Sequence, residues 1–369
     1  MADARIPVIL CIDVEPDEHV YPLERPSPWH GFELITRRLP RLRRNLEEAT
    51  GEAVRFSWDL RMDPQIDSAY GSPTWAVHRY RPVFDDLLEH GDVLGVHPHA
   101  WRWDPSARVW ISDHADQSWV DRCVEMSFQA YGEAFGERPA FHRFGTRFMS
   151  TPTMNLVREL GGRIDLTVEP GETPLGPGEF QGGVLSGETP DFTNAPRVPY
   201  RPDPSDFLRP GGEVEGLWAI PLSSGPHLLK QCRHLSRRVL RKATGRLVHP
   251  VRSARGMRRR MRREPAALQS QWGAERAPFS PAQPEPRHRT LFLWLNWRSP
   301  ADFWDQAFAA ADGLEMPYLA FAIRSDLPTH RDEYRRFHAV LRHLSRDPRA
   351  RRMVFTTPEE AIRHLGLLL

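Results

Sequence analysis

Three cysteines in 369 residues, Cys11, Cys123 and Cys232, are too few, too scattered and odd in number for a disulfide framework. Their scarcity predicts a reducing compartment, the cytoplasm. Nothing approaches the run of about 18 apolar residues that a membrane helix needs. The first apolar stretch, IPVILCID from Ile6, runs straight into acidic residues, so no signal peptide is expected. It is followed by no G-x-G-x-x-G pattern, which argues against a dinucleotide-binding sheet. Acidic residues are missing from 230–263, which holds 14 Lys and Arg. Taking those 14 from the net charge of +2 leaves the remaining chain at −12, an acidic body carrying one basic segment. The segment has no interleaved aromatics and no known module, so nucleic acid is not an expected partner. Leu, Val and Met spaced among its arginines make it a candidate basic helix for an anionic polymer or the inner membrane face, against the plainer alternative of a solvated insertion.

What is present is an alternation. Strand-like apolar runs fall near 6–13, 53–60, 92–97, 140–144, 163–168, 217–222, 291–297, 318–323 and 353–357. Helical patterns separate them near 32–49, 75–90, 116–135, 151–160, 300–312 and 331–345, with Pro40 expected to kink or split the first. This order predicts an α/β fold with a parallel sheet, and eight or nine runs favour a barrel over an open sheet. Residues 1–168 and 289–369 are expected to form the catalytic barrel. Residues 169–288 are read as an insertion of Pro/Gly-rich ordered loops, the basic helical segment 230–263 and a Pro-rich linker.

In barrels the chemistry sits where strands end. Asp13 and Glu15 end the first run, two apart and so on one side of a strand. His97 and His99 end the third with the same spacing, in GDVLGVHPHAW. Carboxylates at the end of an apolar strand are costly unless paired or bound to a cation. With two imidazoles they make a donor set suited to one divalent ion, zinc above all, with a position left open for water. Arg143 in HRFG and Asp165 in RIDLT lie at later strand ends. Asp59 and Asp63 fall near the same rim. Trp101 and Trp103 follow the histidines and are candidates for stacking on sugar, although core packing accounts for most of the 12 tryptophans. His142 reads as a packed histidine beside Arg143.

In these residues the sequence resembles the polysaccharide deacetylase superfamily. That resemblance implies a distorted (β/α) barrel of about seven strands and the hydrolysis of acetyl groups from sugars. Its acidic motif is matched by DVE, with Asp13 implied as catalytic base and Glu15 as metal ligand. Its histidine pair is matched by His97 and His99, in a tighter spacing than the usual i, i+4. Its arginine motif implies that Arg143 orients the base, and its aspartate motif is matched at Asp165. One departure stands out. Where family members carry a histidine as general acid, this chain has Arg324 in FAIRSD, and arginine cannot give up a proton at neutral pH. Arg324 is left as a candidate for oxyanion stabilisation, with Asp326 or His330 as substitute acids. Asp63, Trp101 and Trp103 are the expected substrate-binding residues, and the expected partner is a carbohydrate or other acetylated amide. Two further readings stay open: another amidohydrolase-type C–N hydrolase, and a catalytically silent saccharide-binding relative.

Overall fold

The computed structural model describes residues 5–211, 216–226, 288–295 and 297–367. The basic segment 230–263 and Cys232 therefore lie outside the described residues. The architecture is mixed α/β. Strand β1 (Ile6–Val14) is buried along all nine residues. A strand covered on both faces has no polar side to alternate with, which explains its continuous apolar run. It pairs in parallel with Leu319–Arg324 on one edge. On the other it meets Met353–Phe355 and then β2 (Ser57–Leu60), which pairs in parallel with β3 (Val93–Val96).

Backbone hydrogen bonds continue the pairing beyond β3. Arg143 N–H donates to Val96 O, His142 N–H to Ile164 O, and Leu166 N–H to His142 O. The two-residue strands Ile164–Asp165 and Trp218–Ala219 then pair in parallel. Ser223 N–H donates to Ala320 O, back at the strand that flanks β1. Residues 217–223, inside the expected insertion, thus contribute to the sheet. A second sheet pairs the hairpin Trp101–Asp104 and Val109–Asp113 with Gly183–Ser186 and Gly178–Phe180.

Helices cover the outside of the parallel sheet. α1 (His30–Thr50) continues through Pro40 rather than splitting there, and buries Phe32, Ile35, Leu39, Leu42 and Leu46. Pro40 is exposed, off the buried stripe, where its missing N–H costs the core no hydrogen bond. The expected helix at 75–90 is two, Trp75–Arg79 and Arg81–Glu89, with Pro82 in the first turn of the second. The expected strand at 291–297 is a correction. His288–Thr290 pairs antiparallel with Ser224–Pro226, and the apolar run beyond it turns back on itself, Trp297 Nε1–H donating to Phe292 O. Leu291, Phe292, Leu293 and Trp294 are buried there without a ladder, and a short apolar run does not by itself distinguish the two states. No helix among the described residues is long and apolar enough to cross a membrane.

Candidate metal centre and active site

Four segments bring charge to one end of the parallel sheet. Asp13 and Glu15 leave the end of β1, with Asp59 of β2 in register beside Asp13. His97 and His99 follow β3, and Arg143 comes from the bridging segment at 142. All are buried, as are Arg61 and Arg324. Such a concentration of ionisable groups persists in a core only when each finds a counter-charge or ligand.

One half of the site is centred on Arg143. Its Nε–H donates to Asp13 Oδ1 at 3.2 Å, Nη1–H to Leu166 O at 2.8 Å, and Nη2–H to Glu169 Oε1 at 3.0 Å. The guanidinium is thereby fixed in one orientation, and Asp13 receives a charge-assisted bond along one carboxylate edge. Asp13 Oδ2, on the other edge, lies 3.8 Å from His97 Nε2. Burial pushes the Glu169 carboxyl up to about 7 against the pull of Arg143. Burial, reinforced by Asp13, likewise pushes Asp59 well above the usual carboxylate range.

The other half surrounds Glu15. Burial opposes its ionisation, but Arg324 and His19 outweigh burial and hold the carboxyl well below the usual range. Arg324 Nε lies 2.7 Å from Oε1, while Oε2 has His19 Nε2 at 3.5 Å, His99 Nε2 at 3.6 Å and Arg61 Nη1 at 3.7 Å. Neither Glu15 oxygen completes a well-directed hydrogen bond among the described residues. The imidazoles of His19, His97 and His99 are all driven toward the neutral form, chiefly by burial. His97 Nδ1–H donates to Arg143 O at 2.8 Å, because a carbonyl can only accept, and so its Nε2 carries a lone pair. That Nε2 faces His99 Nε2 at 3.1 Å.

Two ring nitrogens this close share either a proton or a cation. Zinc bonds of 2.0–2.1 Å in a tetrahedron put neighbouring donors about 3.3–3.4 Å apart. Glu15 Oε2 lies 3.5 Å from His19 Nε2 and 3.6 Å from His99 Nε2, close to that edge, while His97 Nε2, 3.1 Å from His99 Nε2, is not part of the mutually close donor group. Donor atoms of Glu15, His19 and His99 all lie within 4.8 Å of one another. The nearby arginines do not cancel the fit. Arg61 is engaged by Asp63, Arg143 by Asp13, and Arg324 by both Glu15 and Asp326, so the four carboxylates outnumber these three guanidiniums by one. The residues present suit a divalent ion.

His19 is the donor that the sequence reading missed. It stands four residues after Glu15 in EPDEH, a carboxylate–imidazole spacing that was legible but carried no strand-end signal. Glu169 was missed for the same reason. The backbone around His99 is shaped to hold its ring. A Cβ on Gly145 would collide with the imidazole, and Thr146 adopts φ 56°, unusual for a β-branched residue, while its Oγ1 lies 3.3 Å from His99 Nδ1.

The remaining expected site residues are held by contacts of their own. Asp165 accepts from His142 Nδ1 at 2.7 Å and from the Thr167 amide and hydroxyl, a closed buried cluster. Asp63 is fully buried. It caps Pro64–Tyr70, takes a bidentate contact from Arg61, and accepts the His99 amide at 3.0 Å, so it supports a candidate ligand from behind rather than facing solvent. Trp101 is fully buried and stacked on Phe180, and Trp103 meets Trp110 edge-on. Arg324 lies beside Glu15, as described, and Asp326 joins it to His330, whose Nε2 is 3.2 Å from Asp326 Oδ2. That hydrogen bond, against partial burial, raises the His330 pKa.

No protein-family model matches the sequence, and no curated protein is similar to it. In three dimensions the chain is similar to a protein assigned as a glycoside hydrolase/deacetylase from Parabacteroides distasonis, 13% identical with a TM-score of 0.51, over 99% of this chain and 72% of that one. It is similar also to a protein assigned as a polysaccharide deacetylase from Mycobacterium smegmatis, 12% identical with a TM-score of 0.45, over 100% and 94%. Over 44% of this chain and 62% of the other it matches a family 4 carbohydrate esterase from Streptomyces lividans, 13% identical with a TM-score of 0.27. The Parabacteroides match shows a shared fold.

Proposed function

We propose that this chain is a metal-dependent hydrolase that removes an acetyl group from an N-acetylated sugar or related amide, in the metabolism of a surface polysaccharide. The observation that carries this reading is the meeting of an ionised Glu15 and three neutral imidazoles beside a carboxylate, Asp13, that is locked by Arg143. Its fold would be a distorted (β/α) barrel, a closure supported by the hydrogen bonds that run from β3 through His142, Ile164–Asp165 and 218–223 to Ala320. The barrel would comprise 1–168, 289–369 and the stretch around 217–223.

Glu15, His97, His99 and His19 would hold the ion, with zinc fitting their donor types. A bound divalent ion supplies Lewis-acid polarisation of the acyl oxygen and acidifies water. Asp13 is the general base that accepts a proton from the attacking water, and the Arg143 bond along its other edge keeps it oriented. His97 and its bond to the Arg143 carbonyl tie the base and the ligand half to one backbone segment. Arg324 cannot deliver a proton to the leaving amine. His330, with its raised pKa and a partly exposed ring, is the candidate donor near that rim. Water is consumed, acetate leaves, and the amine departs protonated.

The test is acetate release from a panel of N-acetylhexosamines and their short oligomers, by protein loaded with zinc and by protein stripped with a chelator. Release by the loaded protein, lost in Asp13→Asn, is the expected result. One ion per chain with no acetate released from any substrate would replace this reading with a silent saccharide binder. A bridged pair of ions would favour another amidohydrolase-type enzyme.

A further inference from the structure

On the outside of the fold, away from Asp13 and Glu15, α1 and the helix Arg331–Leu344 enclose a cleft of about 490 Å³. That size falls within the range of small-molecule sites, about 300–1,000 Å³. Its charge is one-sided. Arg37, Arg38 and Arg41 of α1 face Arg335 and Arg342 of the other helix, and no Asp or Glu lines it. Arg335 is paired with Asp332, and Arg37 bonds only a backbone carbonyl, that of Glu33. Arg38 lies over the Tyr334 ring, 4.8 Å from its centre, which joins the two helices. Arg38, Arg41 and Arg342 have no carboxylate at ion-pair distance among the described residues.

Unpaired guanidiniums that share one concave space repel one another, and an anion with more than one charge relieves this. Leu42, Leu46 and Leu341 lie beneath them but are nearly covered, so the ring surface open to whatever carries the anion is that of the half-buried Tyr334 and His338. A flat membrane contact would need apolar side chains that protrude. The large hydrophobic residues exposed among the described residues are Leu88 and Val184, and neither borders the cleft.

We propose that this cleft binds a soluble organic phosphate with two or more negative charges, its phosphate gripped by Arg41 and Arg342 and its carbon skeleton laid against the Tyr334 and His338 rings. A phosphate monoester carries about −1.5 to −2 at neutral pH and presents three acceptor oxygens, which match the forked donors of arginine.

The cleft contains its own reporter. Burial, with the charges of Arg38, Arg342 and Arg41, lowers the pKa of His338 on the same wall. The experiment follows that imidazole by NMR in the full chain during titration with phenyl phosphate, inorganic phosphate and benzoate, with binding measured in parallel by calorimetry. Phenyl phosphate is expected to raise the His338 pKa and to bind about tenfold or more tighter than either of the others. The exposed Arg41→Gln and Arg342→Gln substitutions should each weaken it by about tenfold or more without shifting the thermal midpoint, the loss expected for a charge-assisted bond. Arg363→Gln, at an exposed arginine paired with Glu359, should leave binding unchanged. Absence of binding by the wild type, equal binding by the two cleft variants, or equal affinity for inorganic phosphate would overturn the proposal. So would capture by phosphatidylglycerol vesicles of a protein that ignores phenyl phosphate.

Discussion

Arg324 and Glu15 meet in the buried centre of the protein, Nε 2.7 Å from Oε1, although one ends the strand Leu319–Arg324 and the other lies just past β1. The guanidinium occupies one edge of a carboxylate whose other oxygen faces two imidazoles. Arg324 is therefore both the counter-charge that lets Glu15 remain ionised in the core and a competitor for any cation held there. Replacing it with Gln should destabilise the metal-free protein by about 3–5 kcal/mol, the cost of leaving a buried charge without its partner. Zinc should then stabilise Arg324→Gln more than it stabilises the wild type, since the ion replaces the missing positive charge. Urea unfolding of both proteins, with chelator and with zinc, measures this. Equal stabilisation by zinc would separate Arg324 from the ion.

The donor set predicts which histidines matter. His97→Ala, His99→Ala and His19→Ala should each lower zinc content from about one per chain toward zero, read by elemental analysis after gel filtration. His142→Ala should leave zinc in place, because His142 is bonded to Asp165 in a separate cluster. Retention of zinc by His19→Ala would confine the site to the pair after β3 and Glu15.

Asp13 and Glu15 stand two residues apart and should fail differently. Asp13→Asn keeps its shape and the Arg143 contact at Oδ1 but loses the basic oxygen, so zinc should remain while acetate release falls by about 10²–10⁴-fold, the usual contribution of a general base. Glu15→Gln should lose zinc and activity together. Parallel measurements of metal content and rate distinguish the two, and loss of zinc in Asp13→Asn would make Asp13 a ligand.

Gly145 tests the packing behind the ligands. A methyl group there collides with the His99 ring, so Gly145→Ala must rotate or shift that imidazole. Zinc affinity should fall by about tenfold or more, the effect seen when groups that orient a ligand are lost, while the circular dichroism spectrum stays that of the wild type. Unchanged affinity would mean that His99 is not a ligand.

Glu169 gives a pH signature. Its folded-state pKa, pushed up to about 7, exceeds the unfolded value near 4.3. Between those values the folded protein binds more protons than the unfolded one, so this group subtracts stability as pH rises through that window. Glu169→Gln, which cannot ionise, should flatten the stability profile between pH 4.5 and 7 by up to about 3 kcal/mol. Urea midpoints across that range check it. A profile parallel to that of the wild type would show that Glu169 is already ionised in the fold.

The groups that matter were legible to different degrees. Strand ends could be read from apolar runs followed by charged residues, and so Asp13, Glu15, His97 and His99 stood out by their spacing, although Glu15 lies just past β1 and both histidines just past β3, where the strand period no longer directs a side chain. His19 and Glu169 lie in irregular segments, where no period projects a side chain in a known direction. Asp63 and Trp101 had the residue types of a binding rim, yet packing turned them inward, Asp63 to cap a helix and Trp101 against Phe180, while Trp103 is half-buried beside Trp110.

By itself, the sequence determined the alternation of elements and the i, i+2 pairing of carboxylates and imidazoles, because hydrophobic periodicity and backbone geometry are local properties. Only the tertiary structure decided that Arg143 binds Asp13, that Arg324 binds Glu15, and that a third imidazole joins the other two. Those contacts join residues far apart in the chain, and their partners are chosen by which strands lie side by side in the sheet, which no short stretch of sequence encodes.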